Sequence, residues 1–250
     1  MNTTRRIAIT TGTLFIVATL ASLSAAALLP GLTGATYLTG VAQQSNQLAA
    51  AALLYLIAAA ASVGIAIALY PLLKQINAAL ALGSAVFRTI EAVFYTAGVV
   101  SLLTIGTLAQ QLATAPPGDR APTYAMADTL VSVREHSALV AVFAFTVGAF
   151  MYYLVFYRSR LVPRWLSGWG LAAALPMMTA CLLALFHDTP VTGYVLLAVP
   201  LGVQEMVLAV WLLVKGFSPP PPSPPTPRAS SAVSPGITTP SAPTGPVGAH

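Results

Sequence analysis

Six runs of about twenty or more predominantly apolar residues divide this chain, and they leave few architectures open to it. They fall at roughly Ile7–Leu29, Leu48–Leu73, Ala79–Leu108, Ser137–Tyr157, Trp165–Phe186 and Tyr194–Val214. A helix rising about 1.5 Å per residue crosses a hydrocarbon core of about 30 Å in roughly 20 residues, so each run can span a bilayer. Only 7% of the residues are charged against 57% apolar, too little polar surface for a water-soluble globule of 250 residues. Barrel strands would alternate polar and apolar residues, and no such alternation occurs here. The expected fold is all-α: a polytopic transmembrane bundle of six helices over residues 1–217, then a tail over 218–250.

The basic residues report topology. Arg5, Arg6, Lys74, Arg158, Arg160, Arg164 and Lys215 fall on one side of six alternating helices, while the opposite connections hold only Arg120 and Arg134. The positive-inside rule therefore places both termini in the cytoplasm. Tyr70, Tyr152, Tyr153, Tyr157, Trp165, Trp169 and Trp211 are expected near the inner interface, and Tyr37 and Tyr194 near the outer one. Because the basic residues sit at run ends and form no patch, the net charge of +5 carries no nucleic-acid signal.

The first run also has the outline of a signal peptide, with two arginines before an apolar stretch that ends in "SLSAAA". It is longer than the usual signal core, which favours a retained helix. After Phe217 the chain becomes "SPPPPSPPTPRASSAVSPGITTPSAPTGPVGAH", with 11 of its 20 prolines. That composition predicts a disordered, polyproline-like cytoplasmic tail, with a proline-binding protein partner as the sharper alternative. The stretch Ala113 to Leu130, with "APPGDRAP", reads as a polar, turn-rich outer loop.

Three charged residues lie far from any expected interface: Arg88 and Glu91 in the third run, and Glu205 in the sixth. Each central charge costs roughly 2.5 to 3.5 kcal/mol to insert, whereas a Leu, Ile, Val or Phe returns only about 0.3 to 0.6. The third run inserted alone comes out near neutral on that scale, so its charges need partners. Ser84, Arg88, Glu91, Tyr95 and Gly98 recur at 4-3-4-3 spacing and form one polar stripe. Gln204 and Glu205 offer a second half, with Pro200 freeing a carbonyl nearby. Arg88 is expected to pair with Glu91 along its own helix and with Glu205 across an interface. One arginine against two carboxylates leaves a formal charge of −1, so a proton or counter-cation is expected there.

Arg134, Glu135 and His136 at the start of the fourth run, and His187 and Asp188 at the end of the fifth, are expected to share the outer rim. Two imidazoles and carboxylates can bind a divalent metal, yet the spacing matches no ligand motif and solvated helix caps explain it as well. His136 and His187 are thus weak metal candidates, and no cofactor is expected. The lone Cys181 allows no internal disulfide. No GxxxxGK[ST], HExxH or GxSxG motif occurs, so an enzyme is the weaker class.

Three stretches taken together, "AVFRTIEAVFY", "YRSRLVPRWLSGWGL" and "PLGVQEMVLAVWLLVKGF", resemble the bacterial membrane family called domain of unknown function 4386, over roughly Arg5 to Phe217. The resemblance implies a six-helix protein of the bacterial cytoplasmic membrane and brings no activity, substrate or cofactor. The residues themselves point to a small carrier, or to a protein binding a solute or proton, using Arg88, Glu91, Tyr95, Gln204 and Glu205 within the lipid bilayer. The alternative is a structural or regulatory component in which the same charges clamp the third and sixth helices. "IEAVFY" and "QEMVLA" also suggest an inverted pair of three-helix halves.

Overall fold

Short polar connections make successive apolar helices turn back on one another. The computed structural model describes residues 3–114, 116, 120–187 and 189–218. Its helices are α1 (Thr3–Leu28), α2 (Tyr37–Gln43), α3 (Ser45–Leu73), α4 (Ala78–Thr114), α5 (Arg120–Ser159), α6 (Arg164–His187) and α7 (Val195–Val214), with a 3-10 turn at Val191–Tyr194 before α7. Six helical segments are long and apolar enough to cross a membrane, and no strand occurs among the described residues. Asp188 and residues 219–250 of the expected tail lie outside the described residues.

The six long helices form a closed ring. α1 packs on α3, α3 on α4, α4 on α5, α5 on α6, α6 on α7, and α7 returns to α1. Small residues allow the close approaches, as they do generally between membrane helices. At Gly148 of α5 an added Cβ would lie 3.2 Å from Phe87 Cβ and 3.4 Å from Ser84 O of α4. Leu20, Leu53, Ile67, Leu82 and Leu175 are exposed on the outside, whereas Arg88, Glu91, Gln204 and Glu205 are buried within. An apolar exterior around a charged interior is the pattern of a multi-pass membrane protein.

The chain winds around the ring in one sense, which excludes the inverted pair. A two-fold axis in the membrane plane reverses winding as seen from one face, so inverted halves α1–α3–α4 and α5–α6–α7 would have to wind oppositely. The likeness of "IEAVFY" to "QEMVLA" is local.

Two further expectations change. The stretch read as an outer loop up to Leu130 is helical from Arg120 onward, making α5 40 residues long. Pro122 does not prevent this, because backbone N–H groups in a helix's first turn have no intrahelical acceptor to lose. At about 1.5 Å per residue α5 runs to ~60 Å, roughly twice a hydrocarbon core. Beside this extension α2 folds within the first connection, and Tyr37, Leu38 and Val41 pack with Leu102, Ile105 and Ala127 in a separate apolar cluster. Tyr37 Oη donates to Asp128 Oδ1 at 2.8 Å, tying α2 to α5. Burial, with that carboxylate beside it, pushes the Tyr37 phenol well above its ordinary value and keeps it a donor.

The second change concerns Tyr152 and Tyr153, read from sequence as interfacial. Both are fully buried in the main core with Phe15, Ile65, Phe156 and Leu208. Their hydroxyls are satisfied by polar side chains of α7, which removes the need for water.

Candidate functional site

α4 supplies the first half of the polar centre. Arg88 and Glu91 stand three residues apart on one face, 3% and 5% exposed, with Arg88 Nη1 donating to Glu91 Oε2 at 2.9 Å. From α3, Ser62 Oγ donates to the same oxygen at 2.7 Å. α7 supplies the other carboxylate: Glu205 Oε1 accepts from Tyr152 Oη of α5 at 2.9 Å, and Arg88 Nη2 stands 3.8 Å away. The pairing across the ring is thus an ion pair at longer range than the one within α4. The rings of Phe145, Tyr152 and Phe15 lie 4.8, 5.8 and 6.0 Å from Arg88 Cζ, within cation–π range. Arg88 Nε has no hydrogen-bond partner among the described residues.

This centre borders empty space. A cavity of about 430 Å³ is lined by Ser62, Arg88, Glu91, Tyr95 and Glu205 on its polar wall, and elsewhere mainly by apolar side chains of α1, α5 and α7. Its volume lies in the range of small-molecule sites. Tyr95 also lines a second, smaller cavity of about 160 Å³ with Tyr55, Gly98, Arg134 and Glu135. The Tyr55 and Tyr95 ring centroids are 6.2 Å apart, and of this pair Tyr95 lines both cavities.

Gln204 belongs elsewhere. Successive residues point about 100° apart on a helix, so Glu205 faces the cavity while Gln204 turns toward α5 and α6. Its Oε1 accepts from Tyr153 Oη, and its Nε2 donates to Leu166 O at 3.0 Å. The helix that carries Pro200 begins at Val195, which puts the carbonyl that the proline frees, that of Leu196, in the first turn. Leu196 is 80% exposed and lies about nine residues, or ~13 Å along the helix, from Glu205, so this carbonyl adds nothing to the centre.

A family model described as a domain of unknown function (DUF4386) matches residues 10–216. The chain belongs to this family. No curated protein and no solved structure matches it. Membership in DUF4386 assigns no activity, so the chemistry of this DUF4386 member has to be read from its own side chains.

His136 and His187 stay at the periphery. His136 lies inside α5, not at its start, and its Nδ1 is 2.7 Å from Ser132 O, while His187 Nδ1 is 3.1 Å from Leu183 O. Among the described residues no group of three or more His, Cys, Asp or Glu side chains converges as a metal site would require. Arg134 extends over the Tyr55 ring at 5.9 Å, toward the smaller cavity.

Sequence reading missed Ser62, Phe15, Phe145 and the role of Tyr152. Ser62 is one hydroxyl in an Ala-rich helix, and hydroxyls are common there without consequence. Tyr152 did carry a signal: the pair Tyr152–Tyr153 in an apolar run needs two buried acceptors if it faces inward, and the adjacent Gln204 and Glu205 supply them.

Proposed function

We propose that this DUF4386 member is a small carrier, or a solute- or proton-binding protein, of the bacterial cytoplasmic membrane, working through Arg88, Glu91 and Glu205. One observation carries the reading: two carboxylates and one guanidinium meet at the wall of a cavity of about 430 Å³, inside a ring with an apolar exterior. With both glutamates ionised the three charges sum to −1, and a medium of low dielectric constant favours binding a proton or cation that removes the excess. Exchange of that proton or cation is what a carrier couples to movement. Tyr95, between the two cavities, is placed to take part in access to the centre.

The topology that accompanies this reading has both termini in the cytoplasm, from the run of Arg5, Arg6, Lys74, Arg158, Arg160, Arg164 and Lys215. Retention of the first helix is supported by its place in the ring: α1 joins α3 to α7 and brings Phe15 to Arg88. The Pro-rich segment after Phe217, which from residue 219 lies outside the described residues, is offered in this proposal to a proline-binding protein partner.

A second reading has an observation of its own. Ser62 joins α3 to α4 and Tyr152 joins α5 to α7, while the 3.8 Å ion pair of Arg88 with Glu205 links α4 to α7, which is what a clamp fixing the bundle would do. Infrared difference spectroscopy on the full-length chain in lipid nanodiscs separates the two. For a proton- or solute-binding centre, a pH step reveals one carboxyl that gains and loses a proton, and Glu205→Gln or Glu91→Gln abolishes the band while the variant stays folded. Absence of any exchanging carboxyl in the wild type, with both variants failing to assemble, identifies a clamp.

A further inference from the structure

α1 and α7 touch closely at one end and part at the other. At Gly12 of α1 an added Cβ would lie 2.8 Å from Ala209 O of α7, and beyond it Arg5 donates to Leu213 O at 2.7 Å and Leu212 O at 3.3 Å. Toward the opposite end, Leu23 of α1 and Val195, Val199 and Val203 of α7 line the large cavity. The same four side chains are 63, 58, 49 and 48% exposed on the outside of the ring. An added Cβ at Gly202, which also lines the cavity, would meet nothing within 4 Å. The space that ends at Glu91 and Glu205 therefore opens sideways between two helices, and in a bilayer that mouth faces lipid.

The inner end of this space accepts hydrogen bonds. Glu91 Oε2 already receives Arg88 and Ser62, and Glu205 Oε1 receives Tyr152 with Arg88 nearby. Glu91 Oε1 and Glu205 Oε2 take no hydrogen bond among the described residues. An anionic head there would be a third negative group, against a guanidinium already surrounded by three rings and two carboxylates. A cation removes the excess charge and supplies the missing donors.

We propose that the wedge between α1 and α7 admits, from the lipid, a monovalent organic cation with an apolar body, and that its ammonium N–H groups donate to the free oxygens of Glu91 and Glu205. The hydrocarbon part lies against the apolar walls, and the cation enters through the bilayer without crossing either polar rim. This inference rests on the carrier or solute-binding reading and specifies its ligand class and route.

The test uses the full-length chain in nanodiscs with hexylammonium as probe and hexanol and hexanoate as controls of the same chain length. Saturable stabilisation against heat is expected with hexylammonium, at least tenfold weaker with either control, and lost on Glu205→Gln. Gly202→Trp, which narrows the mouth one turn from Glu205, is expected to slow or abolish hexylammonium binding. Equal effects of the three probes, or binding untouched by Gly202→Trp, overturn the proposal, and the probe comparison on the unaltered chain holds even where a variant fails to fold. A pH-driven carboxyl signal without selective hexylammonium binding ends this inference and leaves the proton-binding reading standing. Loss of both signals ends both.

Discussion

Gln204 and Glu205 are neighbours in α7, yet they serve two regions of the bundle built in opposite ways. Around Gln204 the polar groups are sealed: Tyr153 and Leu166 O satisfy the amide, and an added Cβ at Gly170 of α6 would lie 2.6 Å from the Tyr153 ring. Around Glu205 they are left partly open, with three charges bordering a cavity of about 430 Å³. Both regions hold α7 against its neighbours, but only one retains unused acceptors and room for a ligand. A buried polar group in a membrane protein is thus either a fastening, when its partners and packing are complete, or a site, when they are not.

The largest expected effect comes from removing the shared cation. Arg88→Met leaves two carboxylates facing each other without compensation and should destabilise the bundle by about 3–5 kcal/mol. Adding Glu205→Gln to that variant should recover part of the loss, because the formal excess falls from −2 to −1; a double-mutant cycle on reversible unfolding in mixed detergent reads the coupling. Additive losses would mean that the 3.8 Å ion pair contributes nothing.

Overpacking the sealed region comes next. Gly170→Leu forces the Tyr153 ring aside and should cost about 1–3 kcal/mol, with no change in carboxyl protonation at the open region. A change there would show that the two regions act as one unit.

The smallest stability effects give the sharpest contrast, because they fall on adjacent residues. Gln204→Leu removes two interhelical hydrogen bonds and should cost about 1–2 kcal/mol, with the exchanging proton retained. Glu205→Gln keeps an acceptor for Tyr152 and should cost under about 1 kcal/mol, with the exchanging proton lost. Thermal unfolding combined with the infrared signal checks both, and the reverse assignment would dissolve the distinction.

Much of this was legible in the sequence because membrane insertion imposes strong patterns. The six runs, the 3-4 spacing of Arg88, Glu91 and Tyr95, and the isolated Glu205 follow from the cost of polar groups in hydrocarbon, and so they stand out against an apolar background. The failures have physical reasons too. Adjacency groups Gln204 with Glu205, although 100° of helical rotation turns it to another neighbour. Tyr152 and Tyr153 read as interfacial because tyrosine suits both a headgroup layer and a buried acceptor, and composition does not distinguish them. The helical extension from Arg120 is hidden because "APPGDRAP" reads as loop, while Tyr37, which packs on Tyr124 and bonds Asp128 there, lies in another segment. The ring order and the lateral opening between α1 and α7 are tertiary facts with no local signature.

The central claim, that the charged centre borders an accessible cavity whereas the Gln204 region is sealed, is tested most directly by thiol labelling at two buried serines. Ser62, 3% exposed, lines the cavity beside Glu91, and Ser167, fully buried, lies in α6 next to Leu166, the acceptor of the Gln204 bond. Ser62→Cys and Ser167→Cys, each in a Cys181→Ala background and reconstituted in lipid, are exposed to a small cationic methanethiosulfonate reagent. The Ser62→Cys variant is predicted to react while the protein remains folded, and the Ser167→Cys variant to stay protected until it unfolds. Equal protection at both positions, or equal reaction at both, would contradict the account.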